Sequence, residues 1–404
     1  LFLRVVVCFL RENKLFFVQW TRSFHVEFVL VLFLCSLAMP QDQSIVQLSQ
    51  AKSPFFVGIE LSSALLQAAV VDDAGQMLAK VSAPIQAGKI PAALSPSDVL
   101  RQVEEVAAKA IAKAELQPSA IARVGLGLPG IVDAASGTLN DVEGLSSDWV
   151  GFPIRERFSS CLGLPVHLAH DTMAAAFGES WVGAGCKLPS LLLLRMDDRV
   201  SCGVVYGEPS IDGTSNYGVE SCHMIINMAD DAAICDCGQR GHLAAYVSAS
   251  ALAACVKQAI ERGEPSTLAE QLQQCQSQQC QSQQGQSQQG QVLTVERIAE
   301  AAAAGDAVAL AAIAETARHL GVGIVNQMNT LDPDGFLLSG SMTFGGKDSP
   351  LGRQFMQWVK EEVARRAFAA LIDHMVIEFA SLGEDAICIG AAGLARLDGK
   401  RNLQ

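Results

Sequence analysis

Four side chains that ligate soft or borderline metal ions fall within twenty residues: His223, then Cys235-Asp-Cys237-Gly-Gln-Arg-Gly-His242. Two thiolates one residue apart, with an imidazole on either side, suit a tetrahedral Zn²⁺. Gly238 and Gly241 let the chain turn back so that His242 can reach the ion held by Cys235 and Cys237. Four protein ligands close the coordination shell, so such an ion is expected to be structural rather than catalytic. A second candidate for chemistry is the pair His170-Asp171, delivered to the C-terminal end of a predicted short strand.

The elements that must position these groups are legible. Phe55 to Ile59 and Leu65 to Val71 are predicted strands, and Asp72-Asp73-Ala-Gly75, which follows the second, is a hairpin turn. Pro96 to Ala114 is amphipathic and predicted helical, with Ser97 or Asp98 as its cap. Val124 to Leu128 reads as a buried strand, and Val166 to Ala169 as the strand that delivers His170 and Asp171. Ala174 to Val182 is the helix after it. Leu191 to Leu194 and Gly203 to Tyr206 are strands around a turn, Thr294 to Leu331 is largely helical, Phe336 to Leu338 is a strand, and Arg353 to Ala370 is a helix. Strands followed by helices, with functional groups at strand ends, indicate an α/β sheet protein.

Composition narrows the class. A chain of 404 residues has room for two or three domains and an ample core. Half of it is hydrophobic and only 6% aromatic, which fits an Ala-, Val- and Leu-rich α/β protein. The formal charge of −13 argues against a general nucleic-acid-binding surface. Twelve cysteines lack disulfide-like spacing, which indicates a reducing compartment and a cytoplasmic location.

Two stretches stand apart. Residues 28 to 39 form an apolar run of twelve behind Arg22, short for a bilayer span but compatible with a signal-peptide core. The first methionine is Met39, and residues 1–38 are read as upstream sequence or a signal-like stretch; without them no membrane association is expected. Residues 275 to 291 run CQSQQ-CQSQQ-GQSQQ-GQ and hold no apolar side chain able to offset ordering entropy, so the segment 273–291 is expected to be a disordered insert. The wider stretch 265 to 291 is expected to be dispensable, having no core former beyond Leu268 and Leu272.

From about Phe55 to Arg396 the chain resembles the ROK family of bacterial sugar kinases and sugar-responsive repressors. The matching stretches are Gly125-Leu-Gly-Leu-Pro-Gly-Ile-Val-Asp133, Leu162-Gly-Leu-Pro-Val166, Asp171 with Ala174-Ala-Ala and Gly178-Glu179, Glu220-Ser-Cys-His223, the Cys235 to Gly241 run, and Gly305-Asp306. Leu331-Asp-Pro-Asp-Gly-Phe-Leu-Leu-Ser-Gly340 and Leu382-Gly-Glu-Asp-Ala386 with Gly390-Ala-Ala392 complete the series. The resemblance implies an actin-like ATPase (ribonuclease H-like) fold, with an N-terminal α/β lobe over 54–168 and a C-terminal lobe over 169–404 around a cleft. It also implies a structural zinc and a homodimer.

It further implies that Asp171 is the catalytic base and that His170, Asp171, Glu220 and His223 bind a sugar. His170 stands where the family usually has Asn. Glu220 and His223 match a Glu-x-Gly-His element in which Cys222 replaces the glycine. His242 stands for a third zinc cysteine. A sugar-binding glutamate has become Ala244, a loss worth about 1.5–3 kcal/mol.

The nucleotide half departs further. The first phosphate loop of the family, Asp-x-Gly-Gly-Thr-Lys, corresponds to Glu60-Leu61-Ser62-Ser63-Ala64-Leu65, which keeps only a carboxylate able to hold a Mg²⁺ water. The second, Gly-Thr-Gly-Ile-Gly-Gly-Gly, corresponds to Asp197-Asp198-Arg199-Val200-Ser201-Cys202-Gly203. The glycines that let backbone N–H groups approach phosphate are gone. A carboxylate about 4 Å from a phosphate oxygen costs about 4 kcal/mol at an effective dielectric near 20, which Arg199 or a bound Mg²⁺ would offset in part. On the adenosine side Ser339-Gly340-Ser341 is better kept.

The resulting expectation is a sugar-binding, degenerate sugar kinase with weak or lost ATP and Mg²⁺ binding. One alternative is an ATP-dependent hexose or N-acetylhexosamine kinase of the glucokinase type. The other is a regulator of the N-acetylglucosamine-repressor type. Residues 39 to 54 are too short for that group's winged helix-turn-helix, and no nucleic-acid-binding module is recognised.

Overall fold

Two five-stranded sheets of the same topology organise the chain after its N-terminal segment. The structure, a computed structural model, describes residues 6–11, 14–19 and 51–401 except 63–64, 86–94, 143–144, 210–216, 219, 271 and 273–292. The repeat at 275–291 and the apolar run at 28–39 therefore lie outside the described residues. The chain divides into a unit Leu1–Val46 and a unit Gln47–Gln404. The first holds an antiparallel pair, β1 (Val6–Arg11) and β2 (Lys14–Gln19), where the sequence analysis assigned no element.

In the second unit the first sheet contains β3 (Phe55–Leu61), β4 (Leu65–Val71), β5 (Met77–Pro84), β6 (Ile121–Leu128) and β9 (Val166–His170) in the order β5-β4-β3-β6-β9. Helix α1 (Pro96–Lys113) precedes β6. A small pair, β7 (Ile131–Asp133) with β8 (Thr138–Asp141), and helix α2 (Ile154–Leu162) precede β9. Helix α3 (Asp171–Trp181) leads to the second sheet. That sheet has β10 (Ser190–Met196), β11 (Val200–Tyr206), β12 (Glu208–Pro209), β13 (Gly335–Ser339) and β14 (Val376–Phe379) in the order β12-β11-β10-β13-β14. Helices α4 (Ala244–Val247), α5 (Ala249–Glu261), α6 (Val295–Ala303) and α7 (Ala307–Leu331) lie between β12 and β13. Helices α8 (Pro350–Arg366) and α9 (Ala369–Ile372) precede β14, and α10 (Ala386–Arg401) comes after it.

In each sheet three strands form an antiparallel meander and two more add in parallel through helical crossovers. Strands β3 and β10 occupy the same central place, and both read as continuous apolar runs because both of their faces are covered.

Helices α3 and α10 pack on each other, α3 against β10 and β11 and α10 against β3, β6 and β9. The approach is close enough to require glycine. A Cβ on Gly390 would stand 1.6 Å from the Ala174 carbonyl oxygen, and one on Gly125 would stand 1.8 Å from that of Ala391. Glu179, fully buried on α3, accepts from the N–H groups of Ala184, Ser381 and Leu382 and from the Ser381 hydroxyl, which fixes the segment ahead of α10.

Several expectations need correction. The cap of α1 is Ser95, whose Oγ accepts from Asp98 N at 3.3 Å. Pro96 then fills the first helical position, where its missing N–H is no loss. Helix α3 starts at Asp171 rather than 174, because Asp171 Oδ1 accepts the Thr172 N–H at 2.6 Å and satisfies a free first-turn donor. The helical stretch 294–331 breaks at Gly305 (φ +94°), after which Asp306 caps α7 through Ala309 N.

Asp306 also accepts from Ser266 Oγ and from the N–H and Oγ1 of Thr267, and Leu268 is 2% exposed in the core of the second lobe. Residues 266–268 are thus structural, and dispensability can extend only to the stretch 273–291. Helix α7 is long and apolar enough to cross a bilayer, but 61% of its apolar window is buried within the protein.

Candidate functional site

The strand ends of both sheets converge on a cleft of about 1100 Å³. Its lining includes Gly130, Asp141, His170, Asp171, Arg195, Asp197, Glu220 and His223. The four residues expected to bind a sugar are therefore brought together. His170 and Asp171 come from the β9–α3 junction, and Glu220 and His223 from a short 3₁₀ turn (Ser221–His223).

His170 Nε2 lies 3.5 Å from Asp171 Oδ1, and His170 Nδ1 is buried with no hydrogen-bond partner among the described residues. An unpaired buried polar atom costs about 1–3 kcal/mol. Thr172 Oγ1 lies 2.6 Å from Ser201 Oγ, tying the start of α3 to the start of β11. Gly203 is required beside it, since a Cβ there would come within 2.3 Å of the Thr172 carbonyl oxygen.

The four residues expected to ligate a metal are brought together. His223 Nδ1 and His242 Nδ1 are 3.2 Å apart, Cys235 Sγ is 3.6 Å from His223 Nδ1, and Cys237 Sγ is 3.2 Å from His242 Nδ1. All four ligand atoms lie within 4.8 Å of one another. Tetrahedral Zn²⁺ with bonds of about 2.0–2.3 Å sets ligand atoms roughly 3.3–3.8 Å apart, so donor types and spacing both fit.

The loop geometry depends on glycine. Gly238 (φ +85°) turns the chain after Cys237. Gly241 (φ +78°) passes so close to Asn227 that a Cβ would meet its carbonyl oxygen at 1.8 Å. The Tyr246 hydroxyl accepts from Asn227 Nδ2 and from Ala233 N, which pins both arms of the loop to α4. Burial pushes the Cys235 thiol up, so its thiolate needs a cation beside it.

His223 faces two ways. Its Nδ1 points into the metal cluster, while its Nε2 lies 3.6 Å from Glu220 Oε2 at the cleft wall. One imidazole joins the two sites.

At the β10–β11 turn the cleft is lined by the protein's own charges. Asp197 leaves β10 and turns back, its N–H donating to the Arg199 carbonyl. Its Oδ1 accepts the Ser341 N–H at 2.7 Å and its Oδ2 accepts from Arg195 Nε at 3.0 Å. Arg195 Nη1 then lies 3.5 Å from Asp171 Oδ2. Burial works against this guanidinium's charge, but the carboxylates of Asp171, Asp197 and Glu60 outweigh it and raise its pKa. Gly340 (φ +92°) is demanded by this turn, because a Cβ would meet the Met196 carbonyl oxygen at 2.3 Å and Asp197 Oδ1 at 2.9 Å.

A model of the ROK family matches residues 56–397. The chain belongs to the ROK family. The xylose repressor of Caldicellulosiruptor bescii is 25% identical over 344 residues, which cover 85% of this chain and 78% of that protein. A glucokinase of Halalkalibacterium halodurans is 25% identical over 342 residues, covering 85% of this chain and 95% of the relative. The crystal structure of a ROK hexokinase from Thermus thermophilus superposes with a TM-score of 0.67 at 24% identity, over 86% of this chain and 99% of that one. The fold of this ROK protein is accordingly the actin-like ATPase fold.

Within this ROK protein, Glu60 is not among the residues lining the cleft. It is 8% exposed, accepts from Gln67 Nε2 at 3.2 Å, and is pushed up to about 7, chiefly by burial, with Asp171 adding and Arg195 opposing.

Arg195 is the residue that sequence reasoning missed. It comes after four leucines in a buried strand, and a charge ending such a run was the available signal. Only the fold showed that it reaches across to Asp171.

Proposed function

We propose that this protein binds a sugar in the cleft and does not transfer phosphate from ATP. The observation that carries the reading is the bond from Ser341 N–H to Asp197 Oδ1, with Arg195 on the other carboxylate oxygen. A nucleotide phosphate at this turn would have to displace that carboxylate from a backbone donor and from its guanidinium. It would also meet Asp198 on the same turn.

The sugar end is better equipped. Glu220 and His223 Nε2 offer a hydroxyl an acceptor and a ring nitrogen 3.6 Å apart, with Asp171 and His170 also lining the cleft. Arg195 balances Asp171, so a hydroxyl donating to that carboxylate stays bound without losing its proton. The reading includes a structural Zn²⁺ on His223, Cys235, Cys237 and His242. That ion would fix the His223 ring and so the sugar wall. It also includes a homodimer, which sedimentation of the full chain checks.

A sugar-responsive regulator is the second reading. It is favoured by the similarity to a xylose repressor across the same 85% of the chain.

Isothermal titration of the full chain with Mg-ATP, then with pentoses, hexoses and N-acetylhexosamines, tests the proposal. Heat with a sugar and none with ATP is expected. Phosphorylation of any of these sugars at an ordinary kinase rate of about 1–100 per second would overturn it.

A further inference from the structure

The 3₁₀ turn that carries Glu220 and His223 brings a third donor with it. Cys222 Sγ lies 3.7 Å from Glu220 Oε2, and His223 Nε2 lies 3.6 Å from the same oxygen. The three ligand atoms fall within 4.8 Å of one another, the same spread as in the four-ligand cluster. The two clusters share His223 but address opposite nitrogens of its ring.

We propose that Glu220, Cys222 and His223 Nε2 hold a second divalent transition-metal ion, of the Zn²⁺ class, at the wall of the cleft. A carboxylate, a thiolate and an imidazole form the mixed donor set that selects such an ion over Mg²⁺ or Ca²⁺. Glu220 and His223 line the cleft, while Cys222 is 2% exposed behind them. With the ion bound, Glu220 and His223 no longer meet a sugar hydroxyl directly; the hydroxyl would instead reach the ion's remaining position, so this site replaces their direct contacts in the sugar reading above. Three protein ligands and an open position distinguish this site from the closed one beside it. Binding of this ion would release two protons to solvent, one from the Cys222 thiol and one from His223 Nε2, whose ring would then serve both ions as an imidazolate. The resembling element carries glycine where this chain has Cys222.

The test is metal content, which stays independent of whether the cleft binds a sugar. Full-length protein purified from zinc-supplemented medium without chelator is expected to carry two ions per chain. Cys222→Ser and Glu220→Gln are each expected to carry one, while Cys235→Ser with Cys237→Ser loses the other. On Co²⁺ substitution, thiolate-to-metal absorption should fall by about a third in Cys222→Ser, as three thiolates become two. Glu220→Gln keeps the side chain's shape and serves as the check if Cys222→Ser misfolds by circular dichroism. Fewer than two ions in the unaltered protein would overturn the proposal, and so would a second ion that survives both single substitutions. Either result would make Cys222 a buried core thiol only.

Discussion

Arg195 Nη1 lies 3.5 Å from Asp171 Oδ2, so a guanidinium from the second sheet neutralises the one carboxylate that the family resemblance marks as a base. The same guanidinium donates through Nε to Asp197, and the three groups form one charge network across the cleft.

Nucleotide affinity should respond to that network. Replacing Asp197-Asp198-Arg199 by Gly-Thr-Gly, together with Gly-Gly-Thr at Ser62-Ser63-Ala64, should strengthen Mg-ATP binding by at least about tenfold, or 1.4 kcal/mol. Adding Arg195→Leu should free Asp171, and any sugar-dependent turnover should then disappear in Asp171→Asn with sugar binding retained. Calorimetry and coupled kinase assays read both effects. An unchanged ATP affinity would show that the two turns are not what limits binding.

Glu60 should make stability fall with rising pH. Its folded-state pKa of about 7 exceeds the ordinary 4.5. Below 4.5 both folded and unfolded chains hold the proton, and nothing is lost. Between 4.5 and 7 the unfolded chain releases it first, so stability declines; above 7 the whole loss, about 3 kcal/mol, is present. Glu60→Gln should remove this loss, with its advantage over the parent growing from pH 4.5 to pH 8. Denaturant unfolding at both pH values measures it, and an advantage that does not change with pH would refute the assignment.

The four-ligand cluster should contribute to folding. Cys235→Ser with Cys237→Ser should release the ion and lower the melting temperature by several degrees, since binding free energy at a structural site is folding free energy. A chelator added to the unaltered protein should have the same effect. Melting temperatures that ignore both treatments would argue for unliganded thiols.

The Gln/Ser segment and its leading edge should separate cleanly. Deleting 273–291 should leave the melting temperature nearly unchanged, because that stretch offers no apolar side chain to bury. Leu268→Ala should cost about 2–5 kcal/mol, since it empties a core position. A deletion starting at 265 should cost more, as it also removes the Ser266 and Thr267 donors to Asp306. Differential scanning calorimetry of the three variants decides it.

What the sequence determined by itself was whatever rests on local pattern. The apolar runs of β3 and β10, the amphipathic period of α1, and the ligand types and glycines of the Cys235–His242 loop are properties of neighbours in the chain. So was the absence of glycine from residues 197–199, which needs no coordinates to notice. The tertiary structure decided the contacts between residues distant in sequence. Arg195 reaches Asp171 across 24 residues, and Ser341 N–H meets Asp197 across 144. Leu268, whose surroundings in the chain are polar, is buried only because Asp306 gathers residues 266–267 against α7. Which ring nitrogen of His223 faces which neighbour is likewise a matter of orientation that no spacing encodes. Periodicity and turn chemistry act over a few residues, whereas charge pairing and burial act through space. The sequence therefore located the ingredients of the site, and the fold determined which of them meet.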